Sequence, residues 1–374
     1  MNSILDRVVL EALFEHGPLT RPEIEERTGL SKPAAARLLL RVEEAGPVRR
    51  AGDKPSRSGP PAVLWQINNA VALVAGLVVD AGQLEAEIRN LDGDLVGRGV
   101  ADNAVAQQDE IGTAIRTVIE KALQRTGHPL DAVSDITLGL PGIVDPDRGR
   151  LRHSTRLPVW EGVDLIAAVT DALPQRRVFT GNDVSLVAMA EYEYGSAAEA
   201  QAVALLWVGA GTRIAFLRDG QLMLGRHGLA GEIGSLVAPD FGAVPAPTPH
   251  KLARPVPGGG VFLEQLLHNS VLAQIGDDVE ALAERLAVGL AAVTSILDPE
   301  LIVLAGPSVE QHGDALVQAT ANALTFMPHE VPRVTRAALG RSAALRGATL
   351  LSLRSARRHI LSTGSRGPHQ VTSA

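Results

Sequence analysis

The chain has no cysteine among its 374 residues, which excludes disulfides and thiolate metal ligands alike. Aromatic residues are scarce at 3%, against a hydrophobic total of 45%, so a core must be built largely from Ala, Val and Leu. Long apolar runs are missing as well. No stretch of about 18 uncharged apolar residues is present to span a bilayer, and the first residues lack a secretion-signal pattern. These absences lead to the expectation of a cytoplasmic protein with no membrane partner. Positive charge is also in deficit, with a formal net charge of −7. The length suits two or three domains, each able to bury a core.

Against that acidic background one region is basic. Residues 27–57 hold eight Lys/Arg and three Asp/Glu, the electrostatic footprint expected of phosphate contacts. The local pattern agrees. Thr20-Arg21-Pro22-Glu23 reads as a capping box opening a helix, and Gly29 suits a left-handed stop. Ser31 then caps a second helix that tolerates Pro33 in its first turn. On it Ala35, Leu38, Leu39 and Val42 recur at i, i+3, i+4 and i+7 as one buried stripe, and Lys32, Ala34, Arg37 and Arg41 line the opposite face. An earlier amphipathic helix, with Leu5, Val8, Val9, Ala12 and Leu13 inward, can cover the pair. Two strands follow, the second marked by alternating Val63, Trp65 and Ile67, with a polar basic tip between them.

This is a winged helix-turn-helix whose second helix is built for a DNA major groove. Double-stranded DNA is the expected partner. Ser31, Lys32, Arg37 and Arg41 are the candidate groove-side residues. Arg49, Arg50, Lys54 and Arg57 are the candidates for phosphate or minor-groove contact.

Asn68-Asn69 marks a boundary. Residues 71–79 form a nearly continuous apolar run, a buried strand; Gly82 interrupts it, and Asp92-Gly93 turns the chain before another strand. The pattern recurs at 203–208, Gly209 and Asp219-Gly220, each glycine standing ten residues before its Asp-Gly turn. Helical periodicity follows each meander, at 110–125, 183–194 and 280–297, with strands at 135–140, 177–180 and 301–305. Two related halves of an α/β body are expected. The division expected is 1–68 for the DNA-binding unit, 69–198 and 199–353 for two lobes, and 354–374 for a frayed tail.

Several segments in this order resemble the ROK family (repressor, open reading frame, kinase), specifically its transcriptional-regulator branch. They are Leu140-Pro141-Gly142-Ile143-Val144-Asp145, Leu157-Pro158-Val159-Trp160, Gly181-Asn182-Asp183, the run from His227 through Ala230, Gly231 and Glu232 to Gly234, and the run from Asp298 to Gly306. The resemblance covers about 280 residues and implies an actin-like (ribonuclease H-like) two-lobed sugar-kinase fold carrying the winged unit. It further implies that Asn182, Asp183, Glu232 and Glu264 bind a sugar between the lobes, Asp183 standing where family kinases keep their base.

The sequence departs from the kinase pattern at three places. The family zinc site has Ser235 where a histidine belongs, and Pro255, Pro257 and Phe262 where cysteines belong, so no metal is expected. The first phosphate loop reads Asp80-Ala81-Gly82-Gln83-Leu84, with no hydroxyl at its last position. The second reads Gly209-Ala210-Gly211-Thr212-Arg213, with an arginine where a glycine makes room. Phosphoryl transfer rests on positioning and charge stabilisation, so ATP is not expected as a cofactor and Asp183 is a vestigial base. The expectation is a homodimeric or homotetrameric DNA-binding repressor controlled by a sugar or sugar phosphate. An ATP-dependent sugar kinase and a DNA-binding oligomer indifferent to metabolites remain as alternatives.

Overall fold

The computed structural model describes residues 4–55, 61–154, 156–209, 211–239, 260–328 and 330–363. Arg57, Ala210, Pro255 and Pro257 lie outside the described residues.

The first unit comprises α1 (Ile4–His16), β1 (Leu19–Thr20), α2 (Arg21–Thr28), α3 (Lys32–Glu44), β2 (Val48–Lys54) and β3 (Ala62–Ile67), its antiparallel sheet ordered β1-β3-β2. Glu23 accepts from the Thr20 amide at 2.7 Å and the Thr20 hydroxyl at 2.8 Å. Gly29, at φ 69°, closes α2 by bonding the Glu25 carbonyl. On α3 the buried residues are Ala35, Leu38, Leu39 and Val42, as the spacing predicts.

On α1 the expected stripe holds at Val9, Ala12 and Leu13 and differs at its start. Leu5 is exposed, and Asp6, Val9, Leu10, Ala12 and Leu13 are buried. The reason is electrostatic: Arg41 Nε donates to Asp6 Oδ1 at 2.9 Å, so the carboxylate is tolerated inside because a guanidinium meets it there.

The first lobe contains β4 (Leu73–Val79), β5 (Gln83–Arg89), β6 (Leu95–Asp102), α4 (Ile111–Leu123), β7 (Val133–Leu140), β8 (Ile143–Val144), β9 (Leu151–Arg152), α5 (Leu165–Ala172), β10 (Arg177–Asn182) and α6 (Asp183–Tyr194). Its five-stranded sheet runs β10-β7-β4-β5-β6, antiparallel through the meander and parallel across β4, β7 and β10.

The second lobe contains β11 (Ala202–Gly209), β12 (Gly211–Arg218), β13 (Gln221–Leu222), β14 (Val237–Ala238), β15 (Val261–Phe262), α7 (Leu263–Leu266), α8 (Asn269–Ile275), α9 (Val279–Leu297), β16 (Leu301–Ala305), α10 (Pro307–Ala323) and β17 (Arg333–Arg336), and the last helix, α11 (Ala343–Thr363), returns to the first sheet. The second lobe's sheet runs β13-β12-β11-β16-β17. Read from the far edge of each meander, both sheets place their own strands in the order third, second, first, fourth, fifth. The short sequence repeat therefore reflects one topology used twice, the actin-like α/β architecture.

Helices α6 and α11 lie between the sheets. Val184, Leu186 and Val187 share a buried cluster with Leu205, Ala215 and Leu217 of the second sheet and with Ala348 and Leu350 of α11. From the other side Ser352 bonds the Ala75 carbonyl at 2.9 Å and Thr137 Oγ1 at 2.7 Å. The expected tail from residue 354 is thus corrected over its first ten residues. The helix continues to Thr363, because Leu353, Ala356 and Ile360 fall at i, i+3 and i+7 and are buried in one cluster with Val9, Leu10 and Leu13. The expected lobe boundary at 353 falls inside this helix, which packs on the first sheet.

Candidate functional site

Two regions carry chemistry. On the winged unit, Ser31, Lys32 and Arg37 are exposed on α3, and neither cation makes an ion pair among the described residues. The remaining candidates are braced. Arg41 is exposed on the expected face and also bonds Asp6 of α1. Arg50 Nε meets Glu43 at 3.0 Å and its guanidinium lies 5.3 Å from the Trp65 ring centroid. With the Gln66 amide oxygen turned toward it, Arg49 Nε is 2.9 Å away. Lys54 ties the wing to α2 through Glu23 at 2.6 Å. That lysine, followed by the Thr20 amide and hydroxyl, holds the Glu23 carboxyl down to about 2. Strand β2 is thereby tied to both α2 and α3.

The second region lies where β10 ends and α6 begins, the expected sugar cleft. Asn182 caps α6, accepting from the Val184 and Ser185 amides at 2.9 and 3.2 Å, and donates to the Gly142 carbonyl at 2.8 Å. The cap is therefore Asn182, and Asp183 Oδ1 also accepts from the Val184 amide at 2.9 Å. Burial pushes the Asp183 carboxyl up to about 6. The Val184 amide, Arg156 and Arg213 pull it the other way, and Asp80 adds to the rise. Arg156 pairs with Asp80 at 2.5 Å.

Across the cleft, Arg213 on β12 ion-pairs with Glu232, and its Nη2 donates to the Gly228 and Ala230 carbonyls, each at 3.2 Å. Glu264 packs over the same loop: a methyl placed on Gly234 would lie 3.2 Å from its Cβ. Asn182 and Asp183 thus stand on the first lobe and Glu232 and Glu264 beside one loop of the second, and Arg213, paired with Glu232, acts electrostatically on Asp183.

The expected phosphate-loop positions take up different environments. Leu84 is fully buried in the first lobe's core, and Gln83 is exposed, bonded to Glu85 at 2.5 Å. Arg213 is turned inward, its side chain only 8% exposed. The two described zinc positions, Ser235 and Phe262, offer no ligand that suits zinc. Ser235 Oγ donates to the Glu232 carbonyl at 2.8 Å, Phe262 offers a hydrocarbon ring, and no group of three His, Asp or Glu among the described residues could hold an ion.

Sequence reasoning missed Asp6 and Arg156. Asp6 was findable, since it falls at i of the spacing 6, 9, 10, 13, and a charge on a buried stripe requires a partner. Arg156 carries no such signal, because nothing local connects it to Asp80.

The pattern of the ROK family matches residues 78–247 and 267–355. This chain belongs to the ROK family. It is 24% identical over 238 residues to the DNA-binding transcriptional dual regulator NagC of Escherichia coli K12, covering 63% of this chain and 57% of that protein. It is 24% identical over 230 residues to the xylose repressor of Caldicellulosiruptor bescii, covering 61% and 57%. The matches thus span a little over half the length of these ROK relatives. Among solved structures, a ROK family transcriptional regulator homologous to the E. coli MLC protein superposes with a TM-score of 0.71 at 19% identity, covering 97% of this chain and 98% of its own. A ROK hexokinase from Thermus thermophilus superposes at 0.59 with 25% identity, covering 76% and 99%. Regulators and kinases of the ROK family thus share this fold, and among these two the regulator also spans the N-terminal unit.

Proposed function

We propose that this ROK protein is a sequence-specific DNA-binding transcriptional repressor whose kinase-like body senses a sugar-derived ligand instead of phosphorylating one. The observation that carries the reading is the winged unit itself: α3 presents Ser31, Lys32 and Arg37 to solvent beside a braced basic wing. A helix so presented suits a major groove, and a homodimer or homotetramer would set two such helices about one DNA turn apart. The names of the relatives, a dual regulator and a xylose repressor, support the reading. The protein works in the cytoplasm and requires neither zinc nor ATP. Its effector is a sugar or sugar phosphate held by Asp183, Glu232 and Glu264, and it shifts DNA binding only through different affinity for two arrangements of the molecule. Selection of bound duplexes from a random pool tests this; recovery of no common sequence would reject it.

One observation favours a second reading as a sugar kinase. A half-buried aspartate pushed to about 6 is suited to take a proton from a hydroxyl. Leu84 and Arg213 stand against it, since the first offers no hydroxyl and the second fills space. Sugar-dependent ADP release that disappears in Asp183→Asn would establish the kinase; no release above background leaves the repressor.

A further inference from the structure

Arg213 lies on the face of β12 that it shares with Ala215 and Leu217, both buried in the cluster containing α6. It therefore points from the second lobe toward the start of α6, where Asp183 sits. Its guanidinium forms an ion pair with Glu232, its Nη2 donates to two backbone carbonyls, and its buried Nε and Nη1 have no hydrogen-bond partner. Asp183 acts on the same guanidinium electrostatically. On the near wall a second guanidinium, Arg156, is paired with Asp80 and also acts on Asp183. Two arginines, Arg156 and Arg213, thus stand among the carboxylates of Asp80, Asp183 and Glu232.

This arrangement sets a condition on any ligand. A neutral polyol hydrogen-bonding Glu232 has to displace a cation that is already there. Once displaced, Arg213 would be a buried charge without its partner, which is strongly unfavourable. A ligand that brings its own anionic group avoids that penalty: its hydroxyls take Glu232 while its anion takes the guanidinium, whose planar fork matches a carboxylate or phosphate. We propose that the cleft takes a monosaccharide bearing a carboxylate or a phosphate, and that Arg213 is the residue selecting it over neutral sugars. The proposal rests on the reading of the cleft as an effector site.

Titration calorimetry on the full chain tests it, with D-glucose, D-glucuronate, D-glucose 6-phosphate and inorganic phosphate as probes. The expected result is that glucuronate or glucose 6-phosphate binds at least about tenfold more tightly than glucose or inorganic phosphate; which of the two binds identifies the anion. Arg213→Gln, which keeps bulk and loses charge, should abolish the preference, and Arg213→Lys should retain part of it. Melting curves establish that each variant is folded, and the wild-type comparison stands by itself if one is not. Glucose binding as tightly as the acids, or a preference surviving in Arg213→Gln, overturns the selection by Arg213 and leaves an effector cleft in place. Binding of inorganic phosphate as tight as that of the sugar acids overturns the sugar-acid assignment. Silence from every probe in wild type and variants overturns both the proposal and the effector cleft.

Discussion

Arg357 of α11 stands 5.3 Å from the ring centroid of Phe14 on α1. The same guanidinium donates to the Leu91 carbonyl through Nε at 2.9 Å and Nη2 at 2.7 Å. One side chain therefore joins the winged unit, the first lobe and the last helix. Because α11 also packs on α6, whose first residues line the cleft, a continuous set of packed helices runs from Asp183 to α1.

Arg357→Ala removes both carbonyl contacts and the stacking on Phe14. The expected cost to docking of the winged unit is about 1–3 kcal/mol. Hydrogen exchange should show faster exchange in α1 with little change in β11 and β16; equal protection of α1 in variant and wild type would show that docking does not depend on this residue.

Arg37 and Arg41 are one turn apart on α3 yet are expected to behave differently. Arg37→Ala should weaken specific DNA binding by about 1–3 kcal/mol with unchanged melting. Arg41→Ala should instead lower stability by about 1–3 kcal/mol, because it withdraws the guanidinium from the buried Asp6 carboxylate. Paired DNA titrations and denaturant melts check both, and a reversal of the two phenotypes contradicts the assignment.

Asp183 gives the protein a pH signature. Its native value is pushed up by burial to about 6 from an ordinary 3.8. The native state therefore holds a proton that the unfolded chain releases, and this contribution to stability is full below about pH 4 and lost as pH rises through about 6. Asp183→Asn removes the loss and should stabilise the protein above pH 7 by up to about 3 kcal/mol. Melting temperatures of the two proteins from pH 4 to 8 should diverge as pH rises; parallel curves would show that Asp183 is not held in a desolvating environment.

Helices α6 and α11 meet with almost no space between them. A methyl at position 347 would come within 1.9 Å of the Leu186 carbonyl oxygen, and backbone cannot yield as a side chain does. Gly347→Ala should destabilise by about 1–3 kcal/mol despite alanine's better helix propensity. Thermal or denaturant unfolding checks this, and a stabilised variant would mean that the two helices separate readily.

Much of this architecture was legible because it is written in local periodicity. The α3 stripe, the Gly29 stop, the buried run of β4 and the strand at Leu301–Ala305 each follow from spacing over a few residues. Features set by partners distant in sequence were not legible. The inward turn of Asp6 depends on Arg41, and the path of the chain beyond residue 353 depends on the far N-terminus. At the cleft, motif order located Asn182, Asp183, Glu232 and Glu264, but spacing alone could not show that Asn182 serves as a helix cap. Nor could it show that Arg213 faces Glu232, since strand alternation leaves open which element covers each face.

The most direct test compares the affinity of the full chain for a duplex recovered by selection with that for a scrambled duplex of equal length and composition, at one fixed near-physiological salt concentration. The account predicts a ratio of about 10³ or more. A ratio near one, with both affinities falling together as salt is raised, would mean that the winged unit does not read sequence, and the repressor assignment would fall.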